Sequence, residues 1–236
     1  MEKPSRSGGV PTAESRLREI LGTEHASVEV RRVLPRLLEL LADGVRIDSK
    51  HLERFSGWGP ELWGQLQEWG AEVDQEGRIV GIAGLSILWT PHRVESGNRR
   101  YYTWCALDAL VLPQTLGEEA TIASVCPATG VPISLSISRD GAVRHELPDL
   151  TLSVVVPARG SPAGGTCLRR SLVGRQGFFC SRVWFFSSRE AGRRWLGDGK
   201  TSVMMSPREG AALARSLWHD PLNVAQSRKG TAQPDP

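Results

Sequence analysis

Long hydrophobic runs are scarce in this chain of 236 residues. The longest uncharged stretch of its first half, Ile79 to Pro91, is interrupted by glycines and is too short to cross a bilayer. The opening residues, MEKPSRSGGVPT, lack the apolar run of a secretory signal. We therefore expect a protein of the cytoplasm that has no membrane partner.

Several catalytic and binding motifs are missing as well. The five histidines show no HxxxH or HxH pairing, which argues against a zinc enzyme. The sequence has no glycine-rich phosphate loop followed by Lys-Ser/Thr and no GxSxG nucleophile elbow. The net charge is only +3 and no segment carries a dense basic stripe, so we expect no nucleic-acid partner.

The composition that remains, 40% hydrophobic and 23% charged, is that of an ordinary globular protein with enough chain to bury a core. The order of its patterns predicts an α+β fold in four parts. These are a disordered leader and short helix over 1–27, a winged-helix-like helical module over 28–85, an α+β catalytic domain over 86–220, and a disordered tail over 221–236.

Three helices and a hairpin are predicted before residue 86. Apolar residues recur at helical spacing from Val30 to Leu41, Asp48 or Ser49 can cap a second helix, and Gly59-Pro60-Glu61 opens a third. A hairpin over 71–82 follows, with its turn at Gln75-Glu76-Gly77. This order of elements is typical of a winged-helix module.

The second half predicts a mixed, mostly antiparallel sheet with flanking helices. Ala106–Leu112 is expected to be a buried short helix or turn, a capping box at Ser187–Glu190 precedes a helix reaching Leu196, and a final helix is expected at Pro207–Leu217. The expected strands are Ser86–Pro91, Arg100–Trp104, Thr121–Val125, Val131–Ser138, Leu150–Val156, Arg182–Phe186 and Thr201–Met205.

The four cysteines carry the clearest chemical signal. No two of them have the CxxC spacing of a metal knuckle, and a cytosolic chain of this size should keep its thiols reduced. Cys105 and Asp108 are three residues apart, so a helical turn would place both side chains on one face. A carboxylate there can take a thiol proton and return it, although a buried cysteine beside a capping aspartate is the common alternative.

Three segments of the chain resemble the organomercurial lyase (alkylmercury lyase) family. YYTWCALDALVLP at 101–113 resembles the segment with the family's first catalytic cysteine, and VCPATGVPISLSIS at 125–138 resembles the segment that follows it. GRQGFFCSRVWFFSS at 174–188 resembles the segment with the second catalytic cysteine. The three segments occur in the family's order and at similar separations.

This resemblance implies a bacterial detoxification enzyme that cleaves carbon–mercury bonds by protonolysis. Cys105 and Cys180 would hold the mercury, Asp108 would join them and shuttle the proton, and Cys126 would be structural. No organic cofactor is implied. External thiols would support turnover, and Hg(II) would pass to mercuric reductase. Cys167, which follows a Gly-rich stretch, has no counterpart in the family pattern and is interpreted as a loop thiol.

Two non-enzymatic functions are alternatives to the lyase activity. One is a winged-helix regulator that senses metal through its thiols, and the other is a protein that only binds mercury. The expected recognition helix, PELWGQLQEW, has two acids and no base, whereas major-groove helices normally carry Arg or Lys. A DNA-binding role is therefore the weaker hypothesis.

Overall fold

The computed structural model describes residues 26–56, 60–156, 179–197 and 202–218. No helix within these ranges is both long and apolar enough to cross a lipid bilayer. Residues 1–25 of the expected leader over 1–27, the whole of the expected tail over 221–236, and Cys167 lie outside the described residues.

Six helices are present in the described ranges, and side chains cap the first two. Ser27 accepts a hydrogen bond from the Val30 amide at the start of the first helix, and Asp48 accepts one from the His51 amide at the start of the second. Asp48, one of the two residues predicted to cap the second helix, therefore acts as its cap. The helices are α1 (Val28–Ala42), α2 (Ser49–Ser56), α3 (Pro60–Glu68), α4 (Ala106–Leu116), α5 (Arg189–Leu196) and α6 (Pro207–Trp218).

The described strands form two sheets in which every pairing is antiparallel. The larger sheet has the order β1-β2-β3-β5-β4-β6-β7-β8, and the smaller has the order β10-β9-β11. The strands are β1 (Glu72–Val73), β2 (Ile79–Ile82), β3 (Leu85–Ser86), β4 (His92–Ser96), β5 (Arg99–Thr103), β6 (Ala120–Val125), β7 (Pro132–Ile137), β8 (Val143–His145), β9 (Thr151–Val155), β10 (Phe185–Phe186) and β11 (Ser202–Met205). The α+β prediction and its mostly antiparallel sheet are confirmed.

Two predicted strands are wrong in detail. The strand expected at Ser86–Pro91 is present only at its first residue, and the next strand is β4, in the interior of the sheet. The strand expected at Arg182–Phe186 begins instead with a 3₁₀ turn over Cys180–Arg182 and is extended only in β10. In the first place only Ile87 packs against the core, whereas in the second Val183, Phe185 and Phe186 are all buried; neither segment forms a continuous strand.

The large sheet continues across the boundary expected at residue 85. Strands β1 and β2 precede that boundary, β3 spans it, and β3 pairs with β5 beyond it through Leu85 opposite Thr103. Helix α1 packs against β2, β3 and β5 of this sheet, and α3 packs against α1 and α2. The division into a module over 28–85 and a domain over 86–220, and the winged-helix likeness, stay predictions.

Helix α4 lies at the centre of the core. Its sequence, ALDALVLPQTL, is apolar on nearly every side, and all its residues except Gln114 are buried. The helix packs against β4 and β5 on one side and α6 on the other, so no face is left for solvent. Hydrophobicity around the whole circumference is the expected pattern for such a helix.

Candidate active site

Cys105 lies where a central strand becomes the buried helix. It follows β5 by one intervening residue, has an extended backbone (φ −150°, ψ 172°), and occupies the N-cap position of α4. The side chain is fully buried, and the hydroxyl of Thr103 donates a hydrogen bond to the Cys105 carbonyl oxygen at 3.0 Å. The thiol is therefore fixed at the N-terminal end of a helix dipole, where negative charge is favoured.

Asp108 occupies the third position of α4 and is only 6% exposed. Burial raises the pKa of this carboxyl to about 7, and the hydrogen bonds from the Cys105 side chain and backbone N–H lower it only in part. Its Oδ2 atom has no hydrogen-bond partner. A carboxyl with this pKa and a free oxygen can both accept and donate a proton near neutral pH.

Cys180 lies in a short turn whose backbone is hydrogen-bonded to a neighbouring strand. It opens the 3₁₀ turn and is 2% exposed. The hydroxyl of buried Ser153 in β9 donates to the Arg182 carbonyl oxygen at 2.6 Å and accepts from the Trp184 amide at 3.2 Å. One serine thus fixes the backbone directly after Cys180. No pattern in the sequence indicates this support.

The fold brings these three residues together. The sulfur atoms of Cys105 and Cys180 and a carboxylate oxygen of Asp108 all lie within 4.8 Å of one another, and all three residues are buried. Cys105 is a free thiol, whereas Cys180 is disulfide-bonded in this structure. Two sulfurs and one carboxylate around one point form a donor set for a soft, thiophilic metal, once Cys180 is reduced.

The thiol of Cys105 is kept protonated when no metal is bound. Burial raises its pKa well above the ordinary value, and the charge of Asp108 and the hydrogen bond to it raise it further. The backbone amides of Asp108 and Leu107 act in the opposite direction without reversing the effect. A metal that binds this sulfur must therefore displace a proton, and Asp108 is the neighbouring group that can accept it.

Cys126 lies outside this group of three. It follows β6 and has no exposed surface, and the hydroxyl of Ser187 donates a hydrogen bond to its sulfur at 3.6 Å. Burial raises its pKa, but hydrogen bonds from Thr129 and Ser187 outweigh burial and lower the pKa to about 7. The sulfur therefore connects the turn after β6 with the segment after β10, which favours the structural role predicted for it.

Gly84 touches the site directly, although it was not among the residues predicted for the site. A Cβ atom added to Gly84 would lie 2.4 Å from Cγ of Asp108 and 2.5 Å from its Oδ1. The only signal in the sequence was a glycine inside a short apolar run, which often marks a close approach between backbone and another group.

Taken together, the fold and the cluster define an α+β protein with a buried thiol–carboxyl–thiol site. The profile of the alkylmercury lyase family matches residues 85–219. The alkylmercury lyase of Streptomyces lividans is 33% identical over 186 residues, covering 77% of this chain and 79% of that protein. The alkylmercury lyase of Pseudomonas putida is 32% identical over 219 residues, covering 92% of this chain and 96% of its own length. The chain belongs to the alkylmercury lyase family, and the resemblance found in the sequence is confirmed.

A solved structure shares the fold. The crystal structure of the mercury-bound form of MerB2 superposes with a TM-score of 0.70, at 20% sequence identity, over 87% of this chain and 96% of that chain. At that identity the likeness shows the architecture alone.

Proposed function

We propose that this protein cleaves the carbon–mercury bond of alkyl and aryl mercurials by protonolysis, giving a hydrocarbon and Hg(II). The observation that carries the proposal is the buried group of Cys105, Asp108 and Cys180, whose donor atoms lie within 4.8 Å of one another. Membership of the alkylmercury lyase family supports the same reaction.

The first step is capture of the organomercurial by one thiol. Mercury is soft and binds thiolate in preference to oxygen ligands. The substrate arrives as R–Hg–SR′, the adduct with a small thiol R′SH. When the sulfur of Cys105 bonds to mercury, its proton passes to Asp108, and the proton then leaves with R′S⁻ as R′SH. The high pKa of both groups in the resting site keeps that proton available.

The second step breaks the carbon–mercury bond. The sulfur of Cys180 bonds to mercury as its own proton passes to Asp108, and the second thiolate raises the electron density on the metal. Asp108 then protonates the carbon, so that R–H forms while the carbon–mercury bond breaks. The balance is one R–Hg–SR′ and two thiols giving R–H, R′SH and mercury held by two sulfurs. Mercury stays Hg(II) throughout, so the reaction needs no organic cofactor.

Small thiols have two further roles in this proposal. They reduce the disulfide of Cys180 before the reaction, and they remove Hg(II) from the two sulfurs after it. The cytoplasm supplies such thiols and keeps protein cysteines reduced. We therefore place the reaction there, with mercuric reductase as the protein that receives the released Hg(II).

Release of benzene from phenylmercury tests the proposal. Purified protein with excess small thiol should release benzene in many turnovers, and heat-treated protein should not. Stoichiometric binding of phenylmercury without any benzene would contradict the proposal and would favour the alternative, a protein that only binds mercury. For the regulator alternative, the structure adds no observation beyond the acidic helix α3, which carries Glu61 and Glu68 and no base.

A further inference from the structure

A tight turn lies buried against the carboxyl group of the site. Ala83 and Gly84 are the two residues that connect β2 to β3, with Ile82 paired to Leu85 across the turn. Both turn residues have positive φ, 52° at Ala83 and 88° at Gly84. Positive φ at both positions is the signature of a type I′ hairpin turn, in which Asn-Gly is the usual pair.

This turn differs from an ordinary hairpin turn in its surroundings. Ala83 and Gly84 are both buried, although turns normally lie at the surface. An asparagine at position 83 would bury a polar amide in the core, and alanine avoids this. Alanine must still adopt a left-handed backbone conformation, which costs energy for any residue with a Cβ atom. Strain of this kind persists where the surrounding structure holds it, and it concentrates at functional sites.

The turn is tied to the strand that carries Cys105. The carbonyl oxygen of Gly84 accepts a hydrogen bond from the amide of Trp104, the residue before Cys105, at 2.8 Å. Leu85, next along the chain, pairs with Thr103. The position of Gly84 is therefore fixed relative to the N-terminal end of α4, and thus relative to Asp108.

We propose that Gly84 is a positioning residue for Asp108: its bare backbone closes over the carboxyl and sets the side-chain orientation that faces Cys105 and Cys180. The contact leaves no room for any side chain at position 84. A Cβ atom there would overlap Cγ, Oδ1 and also Cβ of Asp108, the last at 2.9 Å. Because Cβ is fixed by the helix backbone, Asp108 cannot relieve the overlap by rotation alone.

This inference rests on the proposed function, and Gly84→Ala tests it. The hairpin between β4 and β5 supplies a matched control in Gly97→Ala, because Gly97 also has positive φ (57°) in a two-residue turn but has nothing within 4 Å of an added Cβ. Both variants place an alanine at positive φ, and only the first disturbs Asp108. We expect kcat for benzene release to fall at least about tenfold in Gly84→Ala and to stay near wild type in Gly97→Ala.

Two readouts separate positioning from general damage. Hg²⁺ should still bind Gly84→Ala with wild-type stoichiometry, since the two sulfurs are not displaced. In an Asp108→Asn background, adding Gly84→Ala should cause little further loss of kcat, because the group that it misplaces no longer carries a proton. An undiminished tenfold loss in that background, or equal loss in the Gly97→Ala control, would overturn the inference.

Folding supplies an independent check if Gly84→Ala is unstable. Removing the whole side chain by Asp108→Gly should then restore folding to the double variant, because the overlaps with Cβ, Cγ and Oδ1 all disappear. A double variant that still fails to fold would show that the clash is elsewhere and would overturn the inference. If the wild-type protein releases no benzene, the proposed function fails, while this folding comparison still decides whether Gly84 packs on Asp108.

Discussion

The amide of Ala106 donates a hydrogen bond to the carbonyl oxygen of Val183, with 3.0 Å between nitrogen and oxygen. Ala106 is the residue after Cys105, and Val183 immediately follows the 3₁₀ turn that begins with Cys180. The first amides of a helix have no partner within that helix. One of these unpaired amides of α4 is thus used to join the segments that carry the two cysteines.

Substitution of Ala106 by proline removes this link while the helix can still form. Proline is favoured at the first helical position, and the extended backbone of Cys105 is compatible with a following proline. We expect Ala106→Pro to lower the free energy of unfolding by about 1–3 kcal/mol through the unpaired Val183 carbonyl, and to slow cleavage. Ala106→Val keeps the N–H and adds similar bulk, so it is the control in denaturant unfolding and benzene release. Equal effects of the two variants would show that bulk, and not the hydrogen bond, matters.

The two cysteines of the site should be indispensable for cleavage but not for folding. A hydroxyl cannot replace a thiolate as a ligand for mercury, so Cys105→Ser and Cys180→Ser should each abolish hydrocarbon release. Both residues are small and buried, and serine preserves their shape, so circular dichroism spectra recorded with excess small thiol, which reduces the disulfide of Cys180 in the wild type, should match the wild type. Near-normal turnover in either variant would contradict the two-thiol mechanism.

Cys126 should behave in the opposite way. Its sulfur is buried and accepts a hydrogen bond from Ser187, so a substitution affects packing between the turn after β6 and the segment after β10. We expect Cys126→Ser to lower the free energy of unfolding by about 1–3 kcal/mol and to change kcat less than about twofold. Urea unfolding and benzene release on one preparation give both values. A large loss of kcat in a stable variant would place Cys126 in the chemistry.

The sequence predicted the helices well because their signals are local. Asp48 and Pro60 mark helix starts, and the spacing of apolar residues in α1 is unambiguous. Strand β4 was missed because its sequence, HRVES, is polar: Arg93 points outward, and only His92 and Val94 are buried. A strand was predicted instead at Ser86–Pro91, because the residues before β4 are mostly apolar, although Trp89 among them is 76% exposed.

Only part of the site could be predicted from the sequence. The spacing of Cys105 and Asp108 indicated a pair, because a helical turn fixes that distance. Nothing local could bring Cys180 to them, since that approach depends on β9, on Ser153 and on the Ala106–Val183 hydrogen bond. Cys180 was predicted as the third site residue only from the resemblance to the family. Gly84 was missed because a contact between a turn and a side chain on a helix later in the chain leaves no periodic signal.

The buried carboxyl of Asp108 should make folding stability depend on pH. Its pKa is raised from 3.8 to about 7 in the folded protein, so the folded state favours the protonated form. The stability that this provides is fully present below pH 3.8 and is lost as the pH rises through about 7, by up to about 4 kcal/mol. Asparagine does not titrate, so wild type should lose stability relative to Asp108→Asn between pH 4 and pH 8. Urea unfolding across that range measures the difference, and a constant difference would mean that the carboxyl has an ordinary pKa.

Asp108→Asn should also separate mercury binding from cleavage. Asparagine keeps the shape of the side chain and one acceptor oxygen, but it cannot carry a proton between sulfur and carbon. Hg²⁺ should still bind with wild-type stoichiometry, because Cys105 and Cys180 remain, whereas benzene release should fall about a hundredfold or more, the usual scale for loss of a general acid–base group. Both quantities should be measured on one preparation. Full cleavage in the variant would mean that the proton reaches carbon directly from a thiol or from water, and Asp108 would only orient Cys105. Loss of Hg²⁺ binding as well would show that the carboxyl holds the sulfurs in place, and the separation of roles between thiols and carboxyl would then be wrong.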